Sequence, residues 1–336
     1  MVTAIVAIIV FGLLVFIHEL GHFGVAKWVG IKVHEFAIGM GPKIVNFKKG
    51  ETTYSLRLLP LGGYVRMEGE DEKSNDQRSF NNKPVLHRIG VVIAGPIMNI
   101  ILGVILFTVI FYNITGVPTT TINDIAEDSP AHYVDVQPGD EIVSVNNKKI
   151  STWDNIVEEI NMSQGETINV ELLRDNEVIT KRITPIISED TNQYMIGIYP
   201  VTNRSVMLAI ENSLKQTRMI ITGIFDFFRG LIVRQENVLD DVVGPVGIIS
   251  LVSEASRAGW IYVTQLAGLI SINLAIMNLL PIPALDGSRI LFLIVEAFRG
   301  RPIDPEKEGM IHIIGFTLLI LMMIMVTYKD ITGLFV

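Results

Sequence analysis

The 336-residue chain contains no cysteine, which excludes disulfides and thiolate ligands and leaves His and carboxylate side chains to build any metal site. No Lys or Arg occurs before Lys27. An apolar N-terminal run with no basic start and no small-residue cleavage site does not read as a secretory signal peptide, so the stretch from Val2 to Ile17 is expected to be retained. Charge is scarce at 18%, and mean hydropathy is +0.44. Those values depart from an ordinary soluble domain and suit a polytopic membrane protein carrying a soluble insert. The formal net charge of -8 argues against nucleic acid as a partner.

What is present begins with four apolar stretches, 2–25, 89–112, 261–285 and 310–328, each near the roughly 20 residues a helix needs to cross a bilayer. Residues 24–88 carry eleven Lys or Arg, the first of them Lys27. The positive-inside rule therefore puts the N-terminus outside and this segment on the cytoplasmic side. The second span returns outward and the third and fourth repeat the cycle, which leaves the C-terminus external. Residues 113–203 hold five basic against fifteen acidic residues, as expected of a translocated domain.

At the end of the first stretch stands Ile17-His18-Glu19-Leu20-Gly21-His22. On a helix, His18 and His22 project from one face and can bind one divalent metal, while Glu19 can reach the water such a metal activates. With 6 histidines in 336 residues, a chance HExxH is expected on the order of 0.01 times per chain. Ionisable side chains at membrane depth are also costly and mark functional sites by default. A third ligand is needed, and Asp286, in Asn278-Leu279-Leu280-Pro281-Ile282-Pro283-Ala284-Leu285-Asp286-Gly287, falls on the same membrane side. The prolines break a regular helix there, which is tolerated at such depth only beside protein or a water-filled cavity. Asn278 offers an amide for a substrate carbonyl, or for an interhelical hydrogen bond. His34, His87, His132 and His312 have no ligand-like neighbours and read as ordinary polar residues.

The pair of motifs, His18-Glu19-xx-His22 and Asn278-xx-Pro281-x-Pro283-xx-Asp286-Gly287, resembles the site-2 protease family of intramembrane zinc metalloproteases over nearly the whole chain. Ile38-Gly39-Met40-Gly41-Pro42 and Gly62-Gly63-Tyr64-Val65 are similar to that family's membrane-dipping β-hairpin, and Gly95-Pro96-Ile97-Met98-Asn99 to the motif opening its second span. The resemblance implies that His18, His22 and Asp286 ligate one zinc ion, that Glu19 is general base and acid, and that Asn278, Gly39, Gly41, Gly95 and Asn99 contact substrate. It implies a bacterial plasma-membrane enzyme of the sigma-regulating, single-PDZ type, whose substrates are single-pass membrane proteins already trimmed by another protease. Clearance of remnant signal peptides is a second role the resemblance permits.

Between Val117 and about Pro200, short strand-like runs, the turn Pro138-Gly139-Asp140 and a helical stretch from Trp153 to Met162 resemble a PDZ domain, a fold that takes peptide ends by strand addition. Stretches 32–38 and 52–58 read as strands whose exposed edge could hold an unwound substrate. The expected fold is an α-helical polytopic membrane protein with a β-hairpin region and an inserted extracytoplasmic α+β PDZ domain. Its order is 1–26 first span, 27–88 β-loop region, 89–112 second span, 113–203 PDZ domain, 204–260 amphipathic interfacial segment, 261–287 third span, 288–309 cytoplasmic loop, 310–328 fourth span and 329–336 external tail. Two rival readings are a metal transporter using the same ligands and a silent scaffold. Transport does not require the external domain, and a scaffold has no reason to place four such residues in a bilayer.

Overall fold

The computed structural model describes residues 2–70, 74–188, 193–234 and 243–333. In chain order these form α1 (Val2–Trp28), β1 (Val33–Lys49), β2 (Thr52–Met67), α2 (Val85–Ile110), β3 (Val117–Ile125), α3 (Pro130–Tyr133), β4 (Glu141–Val145), β5 (Lys148–Lys149), α4 (Trp153–Met162), β6 (Ile168–Arg174), β7 (Glu177–Ile183), β8 (Ile186–Ile187), β9 (Tyr194–Met195), β10 (Ile198–Asn203), α5 (Val206–Arg234), α6 (Pro245–Ala258), α7 (Trp260–Leu279), α8 (Asp286–Arg299) and α9 (Pro305–Gly333). They fall into two compact units, Met1–Ile110 with Ser213–Val336, and Phe111–Asn212.

In the first unit, α1, α2, α7 and α9 are long and apolar enough to cross a membrane. Ile313, Ile314, Phe316, Leu318, Leu321 and Ile324 on α9 are each more than half exposed. A helix apolar on all sides with so little of itself buried suits a lipid environment, not water. Helix α2 packs on α1 and α7 through small residues: a Cβ at Gly21 would overlap the Ala94 carbonyl, and Gly268 lies against the Phe107 ring, with 3.2 Å to where its Cβ would stand. Close backbone approach is the packing mode left to helices when lipid removes the hydrophobic gain. Val10, Leu14, Leu102 and Ala267 fill the seam.

Two segments differ from the sequence expectation. Helix α2 begins at Val85, ahead of the apolar stretch that opens at 89, and its buried Arg88 is satisfied by Glu296, with Nη1 to Oε2 at 3.0 Å and Nη2 to Oε1 at 2.5 Å. Hydropathy cannot see a charge neutralised by a partner 208 residues away. The stretch 288–309, expected as a loop, holds most of α8 and the start of α9. Helix α8 is polar on one face and buries Gly287, Ser288 and Leu293 on the other, so its charges imitate a loop composition. Among its described residues the 204–260 segment contains two helices, α5 and α6; α6 meets α7 at a single corner, Gly259, whose φ of 124° suits only glycine.

The β-region is longer than the two stretches read from sequence. Glu35 to Ile38 of β1 pair on one side with Thr53–Leu56 and on the other with Gly63–Arg66, so β2 doubles back around β1. The remainder, Lys43–Lys49 against Thr52–Arg57, projects as an arm with Ile44, Val45, Phe47 and Leu56 exposed. Val33, Phe36, Val65 and Met67 pack with Val91 and Val92 of α2, which ties the β-region to the bundle.

The second unit is an antiparallel sheet of order β10-β3-β4-β6-β7, with β5 paired to β4. Ile122, Ile142, Val145, Ile168, Leu172 and Ile183 form its core with Ile156 and Ile160 of α4. The Pro138-Gly139-Asp140 turn has a physical role. Asp140 accepts from the Gln137 amide at 2.9 Å and from Arg174 Nε and Nη2 at 2.7 and 2.8 Å, fastening the turn to β6. The helix expected from Trp153 to Met162 is α4 with those bounds, N-capped by Thr152.

Candidate metal centre and cavity

His18 and His22 sit one turn apart on α1, their Nε2 atoms 3.2 Å from one another. Asp286 opens α8 and sets Oδ2 at 3.2 Å from His18 Nε2 and 3.5 Å from His22 Nε2. That oxygen is buried and has no hydrogen-bond partner among the described residues. Two imidazole nitrogens and an orphaned buried carboxylate oxygen, drawn together, are what a divalent cation would satisfy. The residues therefore fit a metal site of two histidines and one carboxylate.

The outer nitrogens support that fit. His22 Nδ1 lies 2.8 Å from the Val91 carbonyl, which can only accept, so the ring proton sits on Nδ1 and Nε2 keeps its lone pair. Near His18, the fully buried Asn99 brings an amide atom to 3.4 Å from Nδ1 and leaves Oδ1 without a partner. A half-turn of that amide lets Oδ1 accept from Nδ1–H and frees His18 Nε2 as well. Gly95 packs directly on the pair: a Cβ there would overlap His22 Nε2 and stand 2.9 Å from His18 Cε1.

Glu19 lines a cavity of about 480 Å³ with His18, His22 and Asp286. The second arm of β2, Gly63–Met67, forms another wall. Gly63 is required for that approach, since a Cβ would stand 2.8 Å from Glu19 Cγ and 2.9 Å from the Ala37 carbonyl. Arg289, one turn beyond Asp286, lines the cavity and pairs with Glu70 just after β2. The lining is thus mixed, with Arg66, Glu70 and Arg289 beside Val65, Val91 and Val92.

Of the sequence-derived site residues, the structure brings His18, Glu19, His22 and Asp286 together. Gly95 and Asn99, expected at the substrate, lie against the histidines. Asn278 sits in the last turn of α7, half-buried, and does not line the cavity. Gly39 and Gly41 belong to β1 outside the cavity wall; Gly39, at φ 84°, makes room for the Leu59 carbonyl of β2. Arg289 and Glu70 went unnoticed in the sequence because single charges after a motif carry no spacing signal. His312, read from the sequence as an ordinary polar residue, accepts at Nδ1 from the Ala284 amide at 3.0 Å.

In the second unit, a separate groove runs between α4 (Trp153, Ile156, Val157, Ile160) and the segment Gln193–Tyr199.

A HExxH glutamate beside a donor set of two histidines and one carboxylate, on a span-length helix, defines a membrane metallohydrolase. The chain belongs to peptidase family M50, whose model matches residues 6–322. It is 39% identical to a Clostridium acetobutylicum protein with a provisional zinc metalloprotease name, over 97% of this chain and 96% of that one. It is 34% identical to the regulator of sigma-W protease RasP of Bacillus subtilis, over 99% of each. That second alignment runs over 419 positions, so the Bacillus protein carries additional residues within the matched span. Over 24% of the chain there is similarity to the PDZ domain of an SdrC-like protein from Listeria innocua, at 18% identity, 92% of that chain and a TM-score of 0.23.

Proposed function

We propose that this metalloprotease hydrolyses peptide bonds within or beside the membrane-spanning segments of single-pass proteins, with His18, His22 and Asp286 holding one zinc ion and Glu19 moving the proton. The observation that carries the reading is the orphaned Asp286 Oδ2 between two imidazoles, in a cavity it shares with Glu19. The donor set suits zinc, and Bacillus and Clostridium relatives carry zinc metalloprotease names. When bound, zinc supplies Lewis-acid chemistry that polarises a carbonyl and acidifies water.

The chain's own residues do the rest. Glu19 takes a proton from the attacking water on its carboxylate and delivers it to the leaving amine nitrogen. Val91 and Asn99 hold the two rings with Nε2 toward the cavity. A transmembrane helix has its amides occupied internally and must be extended before attack. The Gly63–Met67 arm, paired with β1 on one side and lining the cavity, offers a strand to hold it extended beside Glu19. Membrane lipid covers the apolar faces of α1 and α9. The N-terminus, the C-terminus and the 113–203 domain lie outside the plasma membrane of a bacterium, and the cavity opens near the cytoplasmic side. The relative named for sigma-W regulation makes pre-trimmed anti-sigma factors the substrate class to try first.

The test compares wild type with Glu19→Gln in detergent, on a tagged single-pass substrate lacking its ectodomain, with bound zinc measured alongside. The variant is expected to keep zinc and lose at least about 100-fold in cleavage rate. Equal cleavage by the two proteins would remove Glu19 from the chemistry.

A further inference from the structure

We propose that His312 is a positioning residue for Asp286, acting from α9 through the Ala284 amide; this rests on reading Asp286 as a metal ligand. Leu280 to Leu285 link α7 to α8, and Pro281 and Pro283 have no amide proton to give. The amides between and after them are accounted for one by one. Ile282 donates to Leu280 O at 2.7 Å and Leu285 to Ile282 O at 3.1 Å, both within the link. Of these three amides, Ala284 alone donates outside the link, to His312 Nδ1 at 3.0 Å.

Ala284 also holds a φ of 77°, a left-handed conformation that an L-residue keeps only when its surroundings impose it. Helix α9 imposes it at two successive points. Gly315 lets the helix lie on Pro283, where a Cβ would overlap the proline ring carbon and stand 2.7 Å from its carbonyl oxygen. One turn earlier, His312 captures the next residue's amide. Two residues on, Asp286 begins α8 with its carboxylate against both imidazoles. The backbone angle at Ala284 therefore sets where α8 starts and where the ligand points.

Because Nδ1 accepts, the imidazole proton resides on Nε2, which lies 3.7 Å from Glu308 Oε1 and has no hydrogen-bond partner among the described residues. Phe292 of α8 meets the ring edge-on at 5.7 Å.

The experiment uses the full chain purified in detergent as wild type, His312→Asn, His312→Leu and Asp286→Ala. Zinc retention is titrated against a chelator, and the visible spectrum is recorded after cobalt replacement. His312→Leu is expected to bind zinc about 10- to 100-fold more weakly, the usual effect of losing an outer partner of a metal ligand, with weakened cobalt bands. His312→Asn keeps an acceptor for the Ala284 amide and should recover most of the loss. Wild-type retention in His312→Leu, beside a loss in Asp286→Ala, overturns the inference and leaves the metal site standing. Unchanged retention in Asp286→Ala overturns the site and the inference with it. Equal losses in the Leu and Asn variants reduce His312 to packing. If the Leu variant does not fold, nitrogen-15 chemical shifts of His312 in the wild type decide: an unprotonated Nδ1 is required, and a protonated one refutes the proposal.

Discussion

Gly95→Ala is the sharpest test of the metal centre, because it adds one carbon and no charge. The new Cβ would overlap His22 Nε2 and stand 2.9 Å from His18 Cε1. To reach ordinary contact, the His22 ring must withdraw by about 1 Å, several times the roughly 0.2 Å spread that metal-ligand distances tolerate. It cannot do so freely, since Nδ1 is tied to the Val91 carbonyl at 2.8 Å, one turn before Gly95 on the same helix. A misplacement of that size costs about 100-fold in rate, or about 2.7 kcal/mol of barrier. Two glycines serve as controls: nothing lies within 4 Å of a Cβ at Gly24 on α1 or Gly90 on α2. Zinc retention under a chelator and cleavage of the tagged substrate are measured together for all three alanine variants. Gly24→Ala and Gly90→Ala should match wild type. Gly95→Ala with zinc and turnover indistinguishable from wild type would refute the geometry on which every role assigned here depends.

Arg88→Met should destabilise the first unit by about 3 kcal/mol, because it strands the Glu296 carboxylate in a buried setting; Arg88→Met with Glu296→Leu should recover most of that in thermal unfolding, and no recovery would argue that the guanidinium acts mainly through the Lys83 carbonyl. Burial alone would raise the Glu35 carboxyl, but Ser55, Lys43, Arg57 and Tyr64 outweigh it and hold it at about 2. The stability this gives is complete above the unfolded value of about 4.3 and is lost as pH falls toward about 2. Unfolding midpoints followed from about pH 6 down to about pH 2.5 should therefore fall less steeply in Glu35→Gln than in wild type; parallel slopes would show that other carboxylates carry the acid sensitivity.

The parts of the site that were legible in the sequence are those whose signal is local. His18, Glu19 and His22 share one helical face by spacing alone, and Asp286 stands out because two prolines and an acid at the end of an apolar stretch have no structural excuse there. The spans were legible for the same reason: lipid demands a long run of one chemistry. The parts that were not legible are set by contacts across the chain. Gly95 and Asn99 announce themselves as a motif, but a motif does not say whether it faces substrate or ligand; only the crossing of α1 and α2 at Gly21 and Ala94 turns Gly95 onto the imidazoles. His312 looked idle because its partner is a backbone amide 28 residues away.

Helix α8 shows why span-by-span reading of such a chain stops short. It hides in a charged stretch, yet three of its residues each face a different element: Asp286 meets the histidines of α1, Arg289 meets Glu70 beyond β2, and Glu296 meets Arg88 of α2. Asp286 and Glu296 are about ten residues apart, about 15 Å along a helix. A rigid rod pinned near its start and toward its far end fixes the direction of its first residue, so the aim of the third ligand is decided as much by Arg88 as by the prolines beside it. The link holds the start of α8 through Pro283, Ala284 and α9, and the Arg88 pair holds its far end. The ligand's position is therefore a property of α8 as a body, which is why no stretch of sequence around Asp286 contains it.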